Sequence, residues 1–171
     1  MLCEPGRTIT YSLYVPESVV AGISFRKSYA LLDDWAVRSF IRMGVPASYR
    51  EINDIISPRG KIAGAAQARR RGFVLHHTTV AHTMDVQLMP RLIRIGRDPI
   101  AGRGVRSAVK PVSPLSWFTP LSCAEVASNL EHDFASEFRT RASRLSGEEL
   151  EAGRRLVESK YSTPAWINRL P

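Results

Sequence analysis

The residues able to do chemistry crowd into one short stretch. Asn53 and Asp54 are followed by Lys61, which opens the run Lys61-Ile62-Ala63-Gly64-Ala65-Ala66-Gln67. Lys61 is one of only four lysines and begins a strand otherwise built from Ile, Ala and Gly. A lysine so placed lays its stem along apolar surface and aims its ammonium along the sheet. Gly64 and the small residues around it leave room for a ligand or another backbone to approach closely. The Asp54 carboxylate could hold a divalent cation or orient the lysine, since magnesium favours carboxylate together with phosphate oxygens. Lysine, carboxylate and small residues together suit a nucleotide phosphate. The spacing alone fits an ordinary edge strand at least as well. For His76 and His77, a little further on, packing or hydrogen bonding within a strand is the plain reading.

Elements must hold these groups, and the pattern supplies them. Residues 8–15 alternate and are rich in β-branched and aromatic types, which predicts a strand. From 20 to 43, apolar residues at Ile23, Phe25, Tyr29, Leu32, Trp35, Phe40 and Met43 form the stripe of an amphipathic helix, with Gly44 as its C-cap and Pro46 as a stop. Trp35 and Phe40 read as core. Residues 48–56 and 61–67 are expected as strands joined by the turn cluster Ser57-Pro58-Arg59-Gly60, and 73–80 as a further strand. Arg69-Arg70-Arg71 before Gly72 reads as a hairpin turn. A short helix is expected over 84–95, with Leu88, Leu92 and Ile95 on one face, then a long polar loop over 96–112. Ser122 with Glu125 and Ser146 with Glu149 are capping boxes opening helices over 124–139 and 148–160. Together these predict one α+β domain over residues 1–171, with a sheet covered on one face and a helical C-terminal portion over 120–171.

Composition narrows the field. The chain has 171 residues, 44% of them apolar, and a net charge of +8. That suits one sizeable core, and no apolar run is long enough to cross a membrane. Cys3 and Cys123, the only cysteines, make no disulfide framework, and reduced thiols in a cytoplasmic protein are the simpler reading. The positive charge is nearly all arginine and is scattered. It suits acidic partners, but without an aromatic platform it argues against a nucleic-acid module.

The order of motifs adds a family likeness. Asn53-Asp54, a turn, Gly60-Lys61-Ile62-Ala63-Gly64-Ala65-Ala66-Gln67, then Arg70-Arg71-Gly72 and Leu75-His76-His77 resemble the lipoate–protein ligase family of the biotin/lipoate ligase superfamily. Gly6-Arg7-Thr8-Ile9-Thr10-Tyr11-Ser12-Leu13, Gly104-Val105-Arg106-Ser107 and Lys160-Tyr161 with Trp166 are similar to further family segments, in the family's order. The resemblance implies a class II aminoacyl-tRNA synthetase/biotin ligase-like mixed sheet with covering helices. It implies ATP, Mg2+ and lipoate as substrates or ligands, with lipoyl-AMP formed and its acyl group passed to a lysine of an acidic lipoyl acceptor domain. By the same resemblance Lys61 is the catalytic lysine, Asn53 and Asp54 serve ATP with Asp54 on the metal, and Gly64, Ala65 and His77 border the adenylate. Arg106 would belong to a loop folding over it.

The chain departs from this family at one place. The Arg-Arg-x-x-Gly-Gly-Gly-x-x-x-His segment that wraps the lipoyl group is not found, so the sheet is expected to lack its N-terminal strands and expose an edge. A second polypeptide carrying that segment is the expected partner, as in a split ligase; a truncated reading, or a non-catalytic partner subunit or remnant, is the alternative. Octanoyl or lipoyl transfer is a rival activity within the superfamily. It needs an activated cysteine, and none lies just before Ala47-Ser48-Tyr49-Arg50-Glu51-Ile52, the segment that resembles the transferase branch.

Overall fold

The computed structural model describes residues 4–92 and 110–169. Arg106, Cys3 and the Gly104–Ser107 segment lie outside the described residues. Two compact units divide the chain: residues 4–92 with 110–138, and residues 139–169.

The first unit is built on five strands. β1 (Thr8–Pro16), β2 (Ser48–Arg50), β3 (Asp54–Ser57), β4 (Gly60–Arg70) and β5 (Phe73–Ala81) lie in the order β1-β5-β4-β3-β2. Every ladder is antiparallel. β4 and β5 make a hairpin in which Arg70 opposes Phe73, and Arg71 and Gly72 both take positive φ, 54° and 79°. Such a two-residue turn matches the twist of the flanking strands; of the arginine run only Arg71 stands in the tip, with Gly72, while Arg69 and Arg70 close the end of β4. Among the described residues β1 and β2 are the outermost strands.

Period-two alternation sends Ile9, Tyr11 and Leu13 to one face and Ser12 and Tyr14 to the other. The first face packs under α1 (Phe25–Arg42) and α3 (Cys123–Glu137). Trp35, Phe40, Ile55, Ile62, Val80, Leu115, Val126 and Leu130 form one buried cluster there. α1 starts later than the apolar stripe predicts, because Ser24 caps it by accepting from the Lys27 amide at 3.2 Å. Val20 belongs instead to a 3-10 turn over Glu17–Val20 and packs on Leu32 and Val74. At the other end, Gly44 has φ +82°, the Gly44 amide bonds Ile41 O and the Val45 amide bonds Phe40 O. These paired bonds satisfy carbonyls that the helix end would otherwise orphan. α3 opens on the expected capping box of Ser122 and Glu125.

Two expectations need correction. Residues 48–56 form two strands, because the chain reverses at 51–53 and Ser48–Arg50 folds back on Asp54–Ile56. The Tyr49 hydroxyl donates to Ile52 O across that reversal. The helix expected over 84–95 is shorter in the described residues: Asp85 Oδ1 accepts from the Gln87 and Leu88 amides, and only α2 (Met89–Leu92) is helical there. Leu92 is 61% exposed, and Ile95 lies outside the described residues.

The second unit holds α4 (Gly147–Leu156), opened by the Ser146–Glu149 capping box, then a π turn over Val157–Tyr161 and α5 (Pro164–Ile167). None of these elements buries a side chain. Its organising contact is aromatic: Lys160 and Arg169 lie over the Trp166 ring at 4.6 and 3.7 Å, and Tyr161 meets the same ring edge-on. Lysine, tyrosine and tryptophan of the sequence motif thus pack on one another.

Candidate functional site

A slip in register brings Lys61 to Asp54. Asp54 pairs with Gly64 and Ile55 with Ala63, but Ile56 pairs with Lys61. β4 therefore carries one extra residue here, a bulge that re-aims a side chain. Without it, Lys61 would sit on the opposite face from Asp54. As built, Lys61 Nζ lies 2.6 Å from Asp54 Oδ1, while the Lys110 ammonium donates to Oδ2. The Lys61 contact is a close charge pairing rather than a directed hydrogen bond, since Oδ1 has no partner of good angular geometry. The Asp54 side chain is 1% exposed. A carboxylate taken that far out of water requires its counter-charges: breaking such a buried pair costs about 3–5 kcal/mol.

Lys110 reaches Asp54 because its segment is tied to β4. The Lys61 amide donates to Pro111 O at 2.8 Å, and the Ser113 amide donates to Lys61 O at 2.8 Å, giving a lone parallel pairing of Lys61 with Val112. Ser57 Oγ bonds Ser113 Oγ at 3.0 Å. Gly60 makes the approach possible. Its φ is +143°, and a Cβ there would sit 2.5 Å from Pro111 O. Around this junction opens a cleft of about 240 Å³, lined by Arg50, Arg59, Lys61 and Lys110 together with the Ser57–Gly60 turn and Pro111. The Arg59 guanidinium is held over the Trp117 ring at 4.3 Å, a cation–π contact that limits its wandering. Four cations line the cleft, and among the described residues the only carboxylate contacting them there, that of Asp54, is buried between two. Field lines focused in such a cleft draw anions.

The other expected residues divide. Asn53 and Ala65 are bound to each other: Asn53 Nδ2 donates to Ala65 O at 2.6 Å, and the Ala65 amide donates to Asn53 O at 2.9 Å. Asn53 thereby fixes the chain reversal that presents Asp54, and the Ala65 amide has no further bond to give a ligand. Gly64 lies between Asp54 and Thr79 in the sheet. His77 is exposed on the face opposite α1, where its Nδ1 lies 2.8 Å from Ser12 Oγ. Its neighbour His76 points the other way and is fully buried, with Nε2 at 2.7 Å from Asp33 Oδ1 and Nδ1 at 3.1 Å from Gln67 Nε2. An amide nitrogen only donates, so Nδ1 accepts and the imidazole proton lies on Nε2, toward Asp33. Tyr11 and Thr78 hydroxyls donate to the same Asp33 oxygen at 3.0 and 3.1 Å. This buried network straps α1 to the sheet, and burial, followed by the Asp33 charge, raises the Tyr11 phenol well above its ordinary value.

Magnesium does not fit Asp54 as the site is built. The ion needs free carboxylate oxygens in near-octahedral geometry, and both oxygens of Asp54 face ammoniums. Among the described residues no group of three or more His, Cys, Asp or Glu side chains is placed to hold a metal. Cys123 is a free thiol at the start of α3, packed against the core, and burial raises its pKa; a thiol pushed that way is a poor nucleophile. Sequence reasoning missed Lys110, Arg50 and Arg59. Their one signal was scarcity: two of the chain's four lysines stand in this cleft.

The comparisons with known proteins bear on this fold and cleft. A family described as the lipoyl protein ligase A/B catalytic domain matches residues 2–135. An octanoyltransferase LipM of Brevibacillus brevis is 30% identical over 110 residues, covering 62% of this chain and 40% of the relative. Subunit 1 of a lipoate-protein ligase A from Thermoplasma acidophilum is 24% identical over 150 residues, covering 81% of this chain and 57% of the relative. This chain thus spans about half the length of these two relatives. Among solved structures, the bi-partite lipoate protein ligase of T. acidophilum, studied with its E2 lipoyl domain, superposes with a TM-score of 0.75 at 22% identity, over 93% of this chain and 63% of that one. A lipoate-protein ligase A bound with ATP gives 0.71 at 20% identity, over 93% and 64%. The sheet, its covering helices and most of the length of the chain agree with one assignment: this chain belongs to the lipoyl protein ligase A/B catalytic domain family.

Proposed function

We propose that this chain is the nucleotide-handling part of a lipoate–protein ligase. A lipoate carboxylate oxygen attacks the α-phosphorus of ATP, pyrophosphate leaves, and the acyl group of lipoyl-AMP then passes to a lysine amine of an acceptor domain, releasing AMP. The observation that carries this reading is the Lys61 ammonium held 2.6 Å from a buried carboxylate at the mouth of a cationic cleft. A cation fixed in advance stabilises the negative charge that develops on carboxyl and phosphate oxygens without reorganising at the moment of reaction. Asp54 aims it, and the bulge in β4 puts it on the Asp54 face of the sheet. ATP is bound in one related structure, and lipoic acid in another, which supports both as ligands here.

The acyl-binding segment comes from a second polypeptide in this reading. A two-part ligase in T. acidophilum is the precedent. An acidic lipoyl domain is the acceptor, steered by the +8 charge. The decisive experiment is lipoate-dependent ATP–pyrophosphate exchange by the chain together with a complementing chain bearing the arginine–glycine segment. Exchange is expected with the pair and lost in Lys61→Ala. Exchange that survives Lys61→Ala overturns the role given to the lysine.

A second reading is octanoyl transfer, favoured by the 30% identical LipM relative. It requires a thioester on cysteine. The half-buried Cys123 thiol, with its raised pKa, is poorly suited to carry one. Octanoyl transfer from acyl carrier protein without ATP would establish this alternative.

A further inference from the structure

The cations of the cleft exceed what a single phosphate would neutralise. Among the described residues, Arg50, Arg59, Lys61 and Lys110 bring four positive charges and Asp54 removes one, which leaves three. A phosphate monoester carries about two negative charges, whereas a chain of phosphates carries more. The four are not equivalent. Lys61 and Lys110 share one carboxylate and are held at a fixed mutual distance by it, and Arg59 is ordered against Trp117. Lys110 stands on Asp54 Oδ2, one of the oxygens a divalent cation would need.

We propose that Lys61, Asp54, Lys110 and Arg59 form an oligophosphate clamp, in which the Lys110 ammonium takes the place on Asp54 that the family resemblance would give to magnesium, and grips the outer phosphates of a nucleoside triphosphate or the pyrophosphate it releases. This rests on the reading of the cleft as a nucleotide site and deepens it. The geometry is specific. The Pro111–Ser113 segment is hydrogen-bonded to both backbone groups of Lys61, so the backbones that carry the two lysines are tied together, and a glycine at position 60 is what allows that contact. Lys110 therefore touches ligand as a second cation, and Asp54 is a positioning residue that holds both lysines rather than a metal ligand.

Calorimetric titration of the full chain with sodium pyrophosphate, ATP and AMP in EDTA tests this, with Mn2+ alone as a separate titrant followed by electron paramagnetic resonance. Pyrophosphate and ATP should bind without metal. Lys110→Met should weaken both by about tenfold or more, as loss of a charge-assisted contact does, while AMP binding changes less than about twofold. Lys110→Arg should restore much of the loss. Arg59→Ala, which leaves Asp54 untouched, should weaken pyrophosphate in the same direction and stands in if Lys110→Met misfolds. Free Mn2+ should not bind. Pyrophosphate that fails to bind in EDTA, Lys110→Met and Arg59→Ala variants that bind it like the parent, or Mn2+ that binds the parent and is lost in Asp54→Asn would each overturn the clamp. Because lipoate is absent from these titrations, the ligase reading and the clamp fail separately. Lipoate-dependent exchange with no effect of Lys110→Met removes the clamp alone, and metal-free pyrophosphate binding without exchange removes the ligase alone.

Discussion

At the scale of single residues, the cluster around Asp54 behaves as a unit and should show it energetically. Removing Lys61 leaves Asp54 with Lys110, and removing Lys110 leaves it with Lys61. Each single change should cost modestly in urea denaturation. The double change strands a buried carboxylate and should exceed the sum of the singles by about 0.5–3 kcal/mol, the range for coupled neighbours; additive singles would show that the lysines do not share Asp54. Gly60→Ala should destabilise by about 1–3 kcal/mol, because its Cβ meets Pro111 O at 2.5 Å and its φ is +143°, and it should weaken pyrophosphate binding as well. Tyr49 supplies a titration. Burial, then the nearby charges of Asp33, Glu51 and Asp54, push its phenol up to about 12. The folded state holds that proton more tightly than the unfolded chain, so the associated stability is present below about pH 10 and is lost as pH rises through about 12. Spectrophotometric titration should show a late tyrosinate step that is smaller by one phenol in Tyr49→Phe, the remainder belonging to other raised phenols such as that of Tyr11.

At the scale of elements, α1 and α3 are joined where they cover the sheet. Ser39 Oγ donates to Asp133 Oδ2 at 2.5 Å, and Arg42 reaches the same oxygen at 3.0 Å. Burial works against the Asp133 charge, yet these hydrogen bonds and the Arg42 charge hold its pKa below the ordinary value. Its contribution to stability is thus full above the unfolded carboxylate range and is lost as pH falls through the lowered folded value. Asp133→Asn should flatten the acid limb of the stability curve, measured by thermal melts below about pH 4. In the core beneath, Phe40→Ala should cost about 3–5 kcal/mol, since Phe40 is fully buried. Much of this layer was legible in local pattern: alternation found β1, the Ser57–Gly60 and arginine–glycine turns marked off β4 and β5, and both capping boxes are present. The division of 48–56 was not. It depends on Asn53 bonding Ala65 twelve positions away, and no propensity encodes that. For the same reason Lys61 was recognisable as chemical, but its alignment with Asp54 rests on a bulge visible only in the paired strands. Lys110 arrives from 56 positions away in sequence.

At the scale of the whole molecule, the two units differ in how they are held. The first has a continuous apolar core, whereas α4, the π turn and α5 bury no side chain. Elements with so little buried surface open at low free energy. Limited proteolysis should therefore cut within the exposed stretch 139–146 before it cuts the strands of the sheet; early cleavage inside β4 or β5 would contradict this. The arginine-rich charge was legible as a preference for acidic partners, but scattered charge says nothing of where they dock, and only the fold gathers Arg50, Arg59, Lys61 and Lys110 at one cleft. The three tryptophans are parcelled out the same way. Trp35 is sealed in the core, Trp117 stands 42% exposed under Arg59 at the cleft, and Trp166 lies between Lys160 and Arg169 in the second unit. The protein thus carries its own set of optical reporters: variants that each retain one indole would separate, by emission colour and quenching, melting of the core, arrival of an anion and fraying of the C-terminal helices.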